Sequence, residues 1–224
     1  MTKWTLQEPR DFGWEMKPKE SAKTSFNILP NDSFELNIEH DPIKNVTPQM
    51  LDWWFRNIGG EMEYQGKVYP RYLVWHPIDH IHWELAKPSP DGTAGEGSEF
   101  HIVEALGANM EWLIDSTEHV EKLNETGIRL VLRTMGHEVF RLEHWFDPHP
   151  EGTLYRSRMQ VGVEDTFGSL IFQPLIRPFI FTEEMGYAWL KHNVEEVGNF
   201  EFFLPELYER EVLARSQQAR VSQG

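Results

Sequence analysis

An α+β fold is what this sequence predicts: a curved antiparallel β-sheet gripping a long C-terminal helix. Three observations carry the prediction. Short runs rich in β-branched and aromatic residues recur between turn signals from Val68 to Phe172. A long amphipathic stretch follows, opening at Thr182 and running past Phe200. The length, 224 residues, suits one domain with a sizeable core, and no internal repeat divides it.

Residues 1–46 are polar and broken by Pro9, Pro18, Pro30 and Pro42, and they read as an irregular N-terminal arm with one short strand around Ser33–Ile38. The domain proper spans 47–215. Thr47-Pro48 opens a helix, a hydroxyl cap followed by proline at the first helical position. That helix turns Leu51, Trp54, Phe55 and Ile58 inward and stops at Gly59-Gly60. Strands are expected at Val68–Trp75, Ile78–Leu85, Glu99–Gly107, Ile128–Met135, Glu138–Phe146, Gly152–Val163 and Gly168–Phe172. A Pro- and Gly-dense loop occupies Lys87–Ser98, and the spacing of the rest argues an antiparallel meander. Glu183 and Glu184 stand at the positive end of the last helix, which Pro205 is expected to kink or end, with Leu207–Ala214 as a second piece. Residues 216–224 form a tail. A sheet closed in this way by one helix is a helix-grip, START-like arrangement, and its natural product is a cavity between the two.

Charge and composition exclude several functions. With 21 basic and 36 acidic residues the formal charge is −15, so nucleic acid and anionic membrane are not expected partners. There is no cysteine, so any metal must be held by histidine and carboxylate. No apolar signal segment opens the chain and no run reaches membrane-spanning length, which makes the cytoplasm the expected location. Nucleophile-elbow, phosphate-loop and dinucleotide fingerprints are missing.

The chemistry concentrates at a few positions. His192 and Glu196 are four residues apart, so they share one helix face with Met185, Trp189 and Phe200. That stripe is apolar except at its middle. A buried histidine and carboxylate need a partner, since an unpaired buried charge costs on the order of several kcal/mol, and a metal ion is one such partner. His80, His82 and Glu84 would share a face of an extended segment, while Phe100, Ile102 and Glu104 share one on a later strand. Glu111 rivals Glu104 as the acidic member. The plainer readings are a surface ion pair for His192–Glu196, structural histidines at His80 and His82, and packing roles for His137, His144 and His149.

Taken together, Pro48-Gln-Met-Leu-Asp-Trp-Trp-Phe55, then Tyr72 eight residues before His80, then His192-Asn-Val-Glu-Glu196 resemble the 2,4-diacetylphloroglucinol hydrolase family over about residues 47–205. The resemblance implies a birch-pollen-allergen-like helix-grip fold and a zinc ion held by two histidines and two glutamates. It also implies hydrolysis of a carbon–carbon bond between an acyl group and a phenolic ring. Carried onto this chain, it makes His80, His192 and Glu196 metal ligands, with Glu104 as the fourth and Glu111 as the alternative. Tyr72 matches a tyrosine that hydrogen-bonds a substrate phenol. Where the family can place an asparagine that holds substrate, this chain has Trp83, which opens the substrate to other acylphenols or β-dicarbonyl compounds. Tyr155 is a second tyrosine whose match no motif anchors. A homodimer is the assembly the resemblance leaves open, since the arm is shorter than in members with a separate N-terminal region.

The expected enzyme is thus a zinc-dependent hydrolase of a small acylphenol-like substrate, with Tyr72 steadying a phenolic oxygen and His144 assisting proton transfer. Two other classes compete. A helix-grip cavity can simply carry apolar molecules, in which case stoichiometric metal is not needed. His80-Ile-His82 suggests a non-haem dioxygenase, although the downstream glutamate is too close and the C-terminal helix would go unexplained.

Overall fold

The architecture was established from a computed structural model, which describes residues 3–163 and 180–213. The C-terminal tail from Ser216 and the strand expected at Gly168–Phe172 lie outside the described residues. Among those described, one antiparallel sheet of nine strands wraps around one long helix.

The sheet begins earlier than expected. β1 (Ala22–Ile28), β2 (Phe34–His40) and β3 (Ile43–Lys44) all belong to it, with β2 paired to the last strand. The irregular arm therefore shortens to the segment before residue 19, and an arm of 1–46 separate from the domain is corrected. The physical reason is burial: Phe34, Leu36, Ile38 and His40 all turn inward along β2, in strict alternation with less buried neighbours. α1 (Pro48–Asn57) is capped by Thr47, whose hydroxyl accepts the Met50 amide at 3.3 Å, and it buries Leu51, Trp54 and Phe55. A small hairpin of β4 (Glu61–Tyr64) and β5 (Lys67–Pro70) follows.

The strand expected over Val68–Trp75 is corrected as well. Only its start is extended, and Arg71–Trp75 forms a short helix, α2, with all five residues buried. Complete burial on every side overrides the β preference of Tyr72, Val74 and Trp75. β6 (His80–Lys87) and β7 (Glu99–Ala105) flank the Pro/Gly loop, and β8 (Leu113–Asn124), not anticipated, is one of the longest strands. β9 (Gly127–Thr134), β10 (His137–His149) and β11 (Gly152–Val161) complete the meander, in the order β1-β2-β11-β10-β9-β8-β7-β6.

α3 (Glu183–Tyr208) crosses the concave face. Thr182 caps it and two glutamates stand in its first turn. It runs through Pro205 and ends in a π-helical turn, Glu209–Leu213, rather than breaking at the proline. Met185, Trp189, His192, Glu196 and Phe200 are all buried along its inner face, as the stripe implied. The helix meets two apolar clusters, one around Trp54, Trp75 and Phe200 and the other around Leu36, Met159 and Trp189. A chamber of about 450 Å³ lies between them and the sheet.

Candidate metal centre and active site

His80, Glu104, His192 and Glu196 converge at one end of this chamber. His80 opens β6 and stands opposite Glu104 of β7 in the register of the two strands. From the other side, α3 brings His192 and Glu196. His80 Nε2 lies 3.7 Å from Glu104 Oε2 and 3.5 Å from Glu196 Oε2, and His192 Nε2 lies 3.5 and 3.7 Å from the same two oxygens. Four atoms around a tetrahedral ion with 2.0–2.1 Å bonds sit about 3.3 Å apart, close to these histidine–carboxylate distances; His80, Glu104 and His192 lie within 4.8 Å of one another, and Glu196 would have to close in to complete the set.

The hydrogen bonds of His80, His192 and Glu196 leave their inner atoms free for a metal, while the inner oxygen of Glu104 takes a single bond from Tyr72. His80 Nδ1 lies 2.7 Å from the Tyr72 carbonyl oxygen, which can only accept, so the Nδ1 proton points there and the Nε2 lone pair faces the chamber. His192 Nδ1 lies 2.9 Å from Asp79 Oδ2, with the same consequence. Both Nε2 atoms are buried and without a hydrogen-bond partner among the described residues. In a protein interior such atoms are rare, and two of them facing two carboxylates are what a cation would satisfy. Burial works against a charged His192, but Glu104, Glu196 and Asp79 outweigh it and raise its pKa well above the usual value, so without an ion a proton on Nε2 takes the place a cation would fill. The pocket carries a negative potential that favours a cation.

Second neighbours fix these ligands. Asp79 accepts the Gly107 and Ala108 amides at 2.9 Å each, besides His192, and its pKa falls despite burial, chiefly through His192. Those amides are presented by a turn in which Gly107 and Ala108 both have positive φ. Asn193 donates to Glu196 Oε1 at 2.6 Å, leaving Oε2 toward the histidines. The Tyr72 hydroxyl donates to Glu104 Oε2 at 3.2 Å, and its ring stacks on His80 at 3.7 Å. Burial first, then Glu104 and Glu196, push the Tyr72 pKa well up, so it stays a donor. His76 is buried and stacks on His192 at 4.4 Å.

His144 lines the same chamber from β10. Its Nδ1 lies 2.9 Å from Ser157 Oγ, and Ser157 Oγ lies 3.1 Å from His40 Nε2. A hydroxyl has one proton, so when His144 donates to Ser157, Ser157 donates to His40. Burial lowers both imidazoles to about 3, which keeps them neutral. The Tyr155 ring packs 5.1 Å from His144, but Tyr155 is not part of the chamber wall among the described residues.

Two expectations fail. Glu111 is exposed on a 3-10 turn (Met110–Trp112) and takes no part in the cluster. His82 does not share a face with His80. The register shifts between them, His80 opposing Glu104 and His82 opposing Val103, so an extra residue at Ile81 turns His82 to the outer face. There it stacks on Trp4 at 4.8 Å. The His80/His82 pair behind the dioxygenase reading is thereby dissolved. What the sequence missed is Glu118 with Ser116, both on the chamber wall from β8. An inward carboxylate on a strand of mixed polarity gave no periodic signal to find it.

A helix-grip chamber with a buried cluster of two histidines and two glutamates at one end defines a small-molecule cavity protein with a candidate metal centre. The chain belongs to the family described as the DAPG hydrolase PhiG domain, which matches residues 17–209. It is 26% identical over 198 residues to phloretin hydrolase of Eubacterium ramulus, covering 74% of this chain and 64% of that protein. The match thus spans a little under two thirds of that relative's length. Among solved structures, Ara h 8.0201 aligns over 77% of this chain and 96% of its own, at 9% identity and a TM-score of 0.46. CalU16 of Micromonospora echinospora aligns over 84% and 88%, at 12% identity and a TM-score of 0.42.

Proposed function

We propose that this chain is a zinc-dependent hydrolase that cleaves the carbon–carbon bond between an acyl group and a phenolic ring, acting on small acylphenols or related β-dicarbonyl compounds. The observation that carries the reading is the pair of orphaned Nε2 atoms of His80 and His192 facing Glu104 and Glu196. Membership of the hydrolase family and the phloretin hydrolase relative supply the reaction class. His80, Glu104, His192 and Glu196 would hold the ion, and two neutral imidazoles with two carboxylates make a formally neutral zinc site. When bound, zinc supplies a Lewis acid for the acyl carbonyl and lowers the pKa of water.

The chain's own residues do the rest. The Tyr72 hydroxyl, kept protonated, donates to a ring oxygen and holds the ring in its keto form beside the cluster. Neutral His144, with its Nδ1 proton on Ser157, takes the proton of the attacking water at Nε2. As the bond to the acyl carbon breaks, His144 returns that proton to the ring carbon, and the products are a carboxylic acid and the deacylated phenol. Packing by Phe55, Trp75 and Phe100 excludes bulk water from the ring. We place the enzyme in the cytoplasm, in keeping with a cysteine-free chain. Among the described residues, no helix is long and apolar enough to cross a membrane.

The test is elemental analysis with turnover of acylphloroglucinols. About one zinc per chain and release of a carboxylic acid without oxygen uptake are expected, and both metal and activity should vanish in His192→Ala and Glu196→Ala. A full metal complement in both variants would remove the centre. Reversible retention of apolar molecules with no product and no metal would leave a carrier, a reading the mostly apolar chamber also favours.

A further inference from the structure

Apart from the four candidate ligands, one ionisable side chain on the chamber wall, Glu118, has an unmet need among the described residues. Glu118 projects from β8, paired with Phe100 of β7, and both line the chamber. It is only 5% exposed. Its Oε1 accepts the Ser116 hydroxyl at 2.8 Å, and its Oε2 is buried with no partner among the described residues. An unsatisfied buried carboxyl is costly, and a methionine or leucine there would join the surrounding apolar surface without that cost. Retaining an acid in such a place is the signature of a group kept for a ligand.

The rest of the wall says what kind of ligand. Trp75 and Trp83 also line this chamber, and their indole N–H groups are buried and without a partner among the described residues. They can only donate, so they call for oxygen acceptors. Burial raises the Glu118 carboxyl to about 7, against the pull of Ser116 and with help from the Glu104 charge, so it offers an O–H as well as an acceptor. A ring hydroxyl both donates and accepts, and suits all three groups. Trp83 owes its place to Gly59, where a Cβ would stand 2.2 Å from the indole ring.

We propose that Glu118, backed by Ser116, forms a hydroxyl-binding subsite on the sheet wall that selects rings carrying a second free hydroxyl beyond the one met by Tyr72. The inference rests on the acylphenol reading for the orientation of the ring, and it assigns to Glu118 the reading of the second hydroxyl. Glu118 acts here on recognition rather than on the bond that breaks.

Binding can be read apart from turnover. Calorimetric titration of the metal-loaded protein would use phloroglucinol, resorcinol, phenol and 1,3,5-trimethoxybenzene as probes. Wild type should bind phloroglucinol at least tenfold more tightly than the trimethoxy compound, with phenol weaker than resorcinol. Glu118→Met should lose roughly tenfold or more for phloroglucinol, hold or gain for trimethoxybenzene, and melt at a higher temperature, because the unmet carboxyl is gone. Glu118→Gln, which keeps one donor and one acceptor, should stay within a few-fold of wild type. With acylphloroglucinols, KM should rise in Glu118→Met while kcat changes little. Equal affinity of wild type and Glu118→Met for phloroglucinol would overturn the subsite, as would equal losses for all four probes or a Glu118→Gln as poor as Glu118→Met. Glu118-dependent selectivity without hydrolysis of any acylphenol would uphold the subsite and sink the hydrolase reading.

Discussion

Two clusters of histidine and carboxylate share the β6–β7 hairpin, one on each face. On the inner face His80 and Glu104 join His192 and Glu196, and His80 and His192 are each 1% exposed. On the outer face His82, Glu84 and His101 gather with Asp115, and the Glu84 and Asp115 side chains are 56% and 44% exposed. The outer histidine is satisfied: His101 reaches Glu84 at 3.0 Å and Asp115 at 2.7 Å. The inner histidines keep a free nitrogen each. Composition is thus nearly the same, and burial together with the unmet Nε2 atoms is what separates a ligand set from a surface network. A single bulge at Ile81 sends His80 to one cluster and His82 to the other.

The contrast yields an ordered set of expectations. The largest effect belongs to the inner face: His80→Ala should abolish metal loading, with kcat/KM for acylphloroglucinols falling at least about a thousandfold, while His82→Ala leaves both within a few-fold. Next is Asp79→Asn, which removes the charge that orients His192. Zinc affinity measured by chelator competition should fall about 10- to 100-fold, and retention of wild-type affinity would break the claim that Asp79 sets the His192 tautomer. Smaller is Gly59→Ala, where the new methyl displaces the Trp83 ring. Overpacking of this kind costs about 1–3 kcal/mol, read as a lower denaturation midpoint with metal content unchanged.

The smallest effect lies on the outer face. Hydrogen bonding to Asp115, opposed by partial burial and aided by Glu84, raises the His101 pKa. Stability from a raised histidine is fully present below the unfolded value near 6.5 and is lost as pH climbs through the folded value. His101→Ala should therefore lower the melting temperature near pH 5.5 and not at pH 9. The cost should stay under about 1 kcal/mol because the partners are solvated. A larger loss at pH 9 than at pH 5.5 would contradict the sign.

What was legible follows the same division. The capped α1, the inner stripe of α3 and the His192–Glu196 pair all show helical period, and they stand where the period put them. β8 was not legible because its inward positions are Ile114, Ser116, Glu118 and Val120, and two polar groups facing a chamber erase the alternation that marks a strand. α2 was misread because its residues favour strands, whereas burial on all sides governs there. The outward turn of His82 depends on one unpaired residue, which a period of two cannot foresee.

The four candidate ligands have one more property. Two come from β6 and β7 at one side of the sheet and two from the middle of α3, elements far apart in the chain. An ion gripping all four would fasten one wall of the chamber to the helix that crosses it. Metal supply would then act on folding as well as on chemistry, by stabilising only the closed chain. A cell short of that ion would hold a looser chain, open to proteases along the seam between α3 and β6.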